Sequence, residues 1–106
     1  MMKVAIRKII NNFENGRFTT YGDLTELLGC DNARQVADCF VEVDERCKEN
    51  GQPPISTLIV NQNGICGDGY FSYHFSYDKR EKYIIWSEQV GKIDIAKIKT
   101  IFKDYL

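Results

Sequence analysis

Two prolines and eight glycines in 106 residues are too few for a collagen-like or long disordered chain. The four cysteines (Cys30, Cys39, Cys47 and Cys66) form neither a Cys-x-x-Cys pair nor the dense pattern of a disulfide scaffold. No apolar run approaches the ~20 residues of a membrane-spanning helix. The opening stretch, MMKVAIRKIINNF, alternates charge with apolar residues and lacks the uninterrupted apolar core of a secretion signal. What is present is ordinary globular composition, 43% hydrophobic and 27% charged. The expectation is one soluble, cytoplasmic domain over residues 1–106, off the membrane and with its thiols reduced.

Strong net charge is also missing, but the value of −1 hides an uneven distribution. Residues 1–20 hold four basic side chains to one acidic, and residues 21–50 hold three basic to eight acidic. Residues 51–78 add only Asp68 and Asp78, whereas residues 79–106 are basic by seven to four. A nucleic-acid binder needs Lys and Arg to neutralise phosphates, and here only the two ends could supply them. The total is far too small for a mimic of DNA built from massed carboxylates.

Hydrophobic spacing predicts a first helix with Ile6, Ile9, Ile10 and Phe13 on one face, ending at Asn15-Gly16. Thr20-Tyr21-Gly22-Asp23 is a Thr-x-x-acid start for a short helix carrying Leu24, Leu27 and Leu28, which Gly29 ends. Asp31 can cap a longer third helix with Ala33, Val36, Ala37, Phe40, Val43 and Cys47 inward. Its outer side carries Asp38, Glu42, Glu45 and Glu49 as an acidic stripe, until Asn50-Gly51 and Pro53-Pro54 stop it. Ser56–Val60 and the segment from Ile65 flank Asn61-Gln62-Asn63-Gly64, which predicts a β-hairpin with Asn63-Gly64 at its tip. From Phe71 to Asp78, aromatic and polar residues alternate as in a half-buried strand or a loop. A short helix over residues 79–90 would turn Tyr83, Trp86 and Val90 inward, and Asp94 would cap a last helix with Ile95, Ile98, Phe102 and Tyr105 on its face. The fold class expected is α+β: a winged helix-turn-helix of three helices plus a β-hairpin, with a C-terminal aromatic strand and helix as an extension.

Thr20-Tyr21-Gly22-Asp23-Leu24, Leu28-Gly29, Ala33-Arg34-Gln35-Val36, Pro54-Ile55-Ser56-Thr57-Leu58-Ile59-Val60-Asn61 and Gly64 follow one another in an order that resembles a known family. It is the DNA-binding domain of the alkylguanine-DNA alkyltransferases and of the non-catalytic alkyltransferase-like proteins. The resemblance covers roughly residues 1–68, leaving residues 69–106 as an extension packed on that unit. It implies that Tyr21 presses on a phosphate and that Arg34 enters the duplex in place of a flipped nucleotide, from the first turn of a recognition helix. Tyr21 packing a helix N-terminus, and Arg34 paired with Asp31 or Asp38, are the plainer readings. Gly67-Asp68-Gly69-Tyr70-Phe71 and Trp86-Ser87-Glu88-Gln89 also look like a small domain sometimes joined to HNH nucleases, but the single His74 cannot make that motif.

The family's alkyl acceptor lies in a Pro-Cys-His-Arg segment, where this chain has Ile55, Ser56 and Thr57 after Pro54. Cys66 has no neighbouring His or Lys to activate it, and Cys39 and Cys47 lie eight apart, unsuited to zinc or thioredoxin chemistry. No catalytic residue, metal or cofactor is therefore expected. Two readings remain. One is a non-enzymatic binder of double-stranded DNA, possessing a preference for distorted or modified bases, with Arg7, Lys8, Arg17, Tyr21, Asn32, Arg34 and Gln35 at the interface. The other is a small phage or mobile-element inhibitor of a host nuclease complex, of the anti-CRISPR or anti-restriction type. It would use Asp38, Glu42, Glu45, Glu49, Tyr70 and Tyr73 against a protein partner, because aromatic residues are enriched at interfaces.

Overall fold

A computed structural model of the chain describes residues 1–67, 70 and 81–106. Helix α1 spans Met2–Glu14 and buries Ala5, Ile6, Ile9 and Ile10, whose three- and four-residue spacing makes one inward stripe. Strand β1 is only Thr19–Thr20. Thr20 caps helix α2 (Tyr21–Leu28) by accepting the Asp23 backbone N–H at 3.1 Å, the bond that its Thr-x-x-acid pattern predicts. Gly29, at φ +68°, closes α2 in the left-handed conformation.

The predicted third helix is two helices, α3 (Ala33–Cys39) and α4 (Val41–Glu49), which meet at Phe40. The cap is Asn32 rather than Asp31. The Asn32 side chain accepts the Gln35 N–H at 3.0 Å, while Gln35 Oε1 accepts the Asp31 N–H at 2.7 Å. Phe40 is wholly buried at the junction, with Val36 of α3 and Val43 and Cys47 of α4 packed into the same core.

Beyond Pro53-Pro54, residues Ile55–Leu58 make a 3-10 turn that leads into β2 (Ile59–Val60). Strand β2 pairs with β1 in parallel, Thr19 opposite Ile59 and Thr20 opposite Val60. Helix α5 (Lys82–Lys92) and helix α6 (Ile95–Ile101) follow, the latter capped by Asp94, which accepts the Lys97 N–H at 3.2 Å. A last 3-10 turn covers Lys103–Tyr105.

These elements overturn the winged helix-turn-helix. Among the described residues the protein is mostly helical, with a two-stranded parallel sheet and no β-hairpin. The reason lies in Ile55–Leu58: the 3-10 turn consumes the residues that a wing strand would need, and all four are buried between elements on either side. The Asn61–Gly64 turn does form. Asn61 donates to the Ile65 carbonyl at 2.8 Å, Gly64 donates to the Asn61 carbonyl at 3.0 Å, and the Asn61 side chain accepts the Asn63 N–H at 2.9 Å. Only Gly64 takes a positive φ (+81°); Asn63 does not. After the turn the chain dives inward at Cys66 instead of returning along β2. The strand expected at Phe71–Asp78 lies outside the described residues. On α5 Trp86 is buried and Val90 half-buried, but Tyr83, expected inward, is 60% exposed.

Among the described residues two apolar clusters hold the molecule. The larger joins α1 through α4 to the 3-10 turn and α6, with Phe40, Phe102, Ile6, Ile9, Leu24 and Leu58 fully enclosed. The smaller gathers Val60, Cys66, Tyr70 and Trp86, with Phe18 stacked on Trp86 at 5.3 Å between ring centres. No helix among the described residues is long and apolar enough to cross a membrane.

Candidate functional site

Helices α2 and α3 are consecutive and lie against each other across a connection of four residues, Gly29 to Asn32. The bond from Gln35 N–H to the Asn32 side chain and the bond from Asp31 N–H to the Gln35 side chain fix the start of α3, so both side chains are already engaged at the cap. Arg34 occupies the second position of α3, exposed to solvent. Among the described residues it makes no hydrogen bond or ion pair, and the expected alternatives Asp31 and Asp38 do not hold it.

The other proposed contact residues are scattered by the fold. Arg7, Lys8 and Arg17 are exposed. Arg7 bonds back to the Lys3 carbonyl at 3.4 Å, and Lys8 lines an open groove with Asp23 and Glu26. Tyr21 is 8% exposed and belongs to the core. Burial, reinforced by Cys66 and Asp44, holds its phenol far above the usual range against an opposing backbone hydrogen bond from Gly67. The surface contact implied for Tyr21 would require a different orientation of this side chain. Of the acidic stripe, Asp38, Glu42, Glu45 and Glu49 are all exposed, and Glu45 pairs with Lys48 at 3.5 Å. Tyr70 faces inward, bonded to the Thr57 hydroxyl at 2.8 Å, and Tyr73 lies outside the described residues.

A second polar assembly, which the sequence did not disclose, surrounds the 3-10 turn. Asp44 is 3% exposed; it accepts the Ser56 N–H at 3.0 Å and the Ser56 hydroxyl at 2.7 Å. The carboxylate thus caps the 3-10 turn. The indole of Trp86 donates to the Thr57 carbonyl at 2.9 Å, and the Cys66 sulfur lies 3.4 Å from the same oxygen. Burial pushes the Cys66 thiol up, with Lys82 opposing, and it pushes the Cys47 thiol up to about 12. A cavity of about 40 Å³, lined in part by Tyr21, Asp44, Ser56 and Tyr70, adjoins this assembly. That is room for roughly one water molecule, not for a substrate. Asp44 could have been suspected: it falls four residues after Phe40 and three before Cys47, on the apolar stripe rather than on the acidic one.

No described protein family, curated protein or solved structure matches the chain.

Proposed function

We propose that the protein is a non-catalytic nucleic-acid-binding protein that docks on duplex DNA through the α2–α3 unit, with Arg34 as its principal contact. The observation that carries this reading is the exposed Arg34 guanidinium on the first turn of α3, which has no hydrogen bond or ion pair among the described residues. Groove-entering side chains come from that turn, and a planar cation suits either a base edge or a gap in the stack. Arg17 is an exposed candidate for a supporting phosphate contact.

The test is a salt series of duplex binding, followed by fluorescence anisotropy, on an intact duplex and on one with a displaced base. Arg34→Ala should cost about 1–3 kcal/mol of affinity, and the loss should be larger on the displaced base. Equal binding by wild type and Arg34→Ala on both duplexes would remove the reading.

The inhibitor reading draws on one specific observation, the exposed carboxylates Glu42 and Glu49 on α4. Neutralising both to Gln should strengthen DNA binding at low salt by relieving phosphate repulsion. If a protein partner is the true ligand, the same change should slow its association, since the carboxylates would be steering it.

A further inference from the structure

The turn between α2 and α3 also brings two thiols into contact. Cys30 Sγ and Cys39 Sγ lie 3.9 Å apart, Cys30 half-buried and Cys39 exposed. Both backbones are held in place. Cys30 follows the left-handed Gly29 and donates its N–H to the Thr25 carbonyl at 2.9 Å, and Cys39 is the last residue of α3. The contact is therefore a consequence of how α3 folds back on the end of α2. The other two cysteines, Cys47 and Cys66, are fully buried and far less accessible to reagents.

We propose that Cys30 and Cys39 form a reversible dithiol–disulfide site, oxidised by a low-molecular-weight disulfide such as glutathione disulfide. Cys39, the exposed member, attacks one sulfur of glutathione disulfide as its thiolate and expels glutathione thiolate. Cys30 then gives up its proton to solvent and attacks the Cys39 sulfur of the mixed disulfide, expelling the second glutathione. Two cysteine thiols and one glutathione disulfide become one protein disulfide and two glutathione thiols. A disulfide bond is about 2.05 Å long, so the sulfurs must approach by roughly 1.9 Å, a distance that side-chain rotation can cover. The bridge would staple the connection that presents Asn32 and Arg34, although the proposal stands whether or not the protein binds DNA.

The test uses the folded full chain with glutathione disulfide, then alkylation of remaining thiols and peptide mass spectrometry. The expected product is a Cys30–Cys39 crosslink lacking two hydrogens, with Cys47 and Cys66 alkylated only after unfolding. Cys30→Ser should stop at a mixed disulfide on Cys39. Phenylarsine oxide, which bridges paired thiols, should bind wild type in one-to-one ratio and lose binding in Cys39→Ser, an exposed and conservative change. A wild-type product that stays as the Cys39–glutathione mixed disulfide, or becomes a disulfide-linked dimer, overturns the proposal. So does wild type that fails to bind the arsenical.

Discussion

Asp44 shows how much a single side chain can decide in a chain this small. Its carboxylate is buried and satisfies two donors of Ser56, so the 3-10 turn begins without orphaned polar groups. Removing the acceptor leaves a buried N–H and a buried hydroxyl without it, each worth about 1–3 kcal/mol. Asp44→Ala should therefore lower stability by about 3 kcal/mol, read as a fall in urea midpoint at unchanged slope. Ser56→Ala should cost less, because the backbone N–H keeps its acceptor. The double variant should cost less than the two singles together, since both act on one interaction. Tyr21 carries the opposite lesson: the residue that the family resemblance assigns to a phosphate instead serves the core.

Local signals were legible wherever a helix end is settled by its own few residues. The Thr20 cap, the Gly29 stop and the Asp94 cap all follow from chemistry within four positions. The cap of α3 was misplaced by one because Asp31 and Asn32 are both good caps, and Gln35 decides between them by bonding the Asp31 N–H. The break at Phe40 and the loss of the hairpin were not legible. Both depend on packing against distant segments, and the segment Ile55–Val60, with Ser56 and Thr57 among apolar residues, reads equally well as strand or as buried turn. Of the candidate site, Arg34 could be placed from sequence because its position depends on the cap alone; the Asp44 assembly could not, because its partners are twelve residues away. The Asn61–Gly64 turn offers a check at this scale. Gly64 sits at φ +81°, where a β-branched side chain is strained even though nothing crowds it. Gly64→Val should cost about 1–2 kcal/mol, measurable as a lower thermal midpoint.

Across the whole molecule, charged contacts tie the C-terminal segment to the helices before it. Arg46 on α4 donates to the Ile101 carbonyl at 2.6 Å and to Asp104 at 2.9 Å, and lies over the Phe102 ring at 5.2 Å. Lys99 on α6 reaches Glu14 on α1 at 2.7 Å. The Arg46 hydrogen bond holds the Asp104 carboxyl below its usual range. Such a depressed carboxylate stabilises the fold above the ordinary Asp pKa of about 3.9, and that contribution disappears as pH falls through the lower folded-state value. Asp104→Asn should thus lower the thermal midpoint near neutral pH, with the gap from wild type closing as pH falls through the depressed folded-state value of Asp104. The parallel pairing of Thr19 with Ile59 has a kinetic consequence of its own. The crossover between the strands contains α2, α3 and α4, so closing it is a long-range step and these local helices are expected to form before the sheet. The contact that closes the loop is then made after its local helices, and substitutions at Thr19 or Ile59 should chiefly speed unfolding while leaving the folding rate little changed.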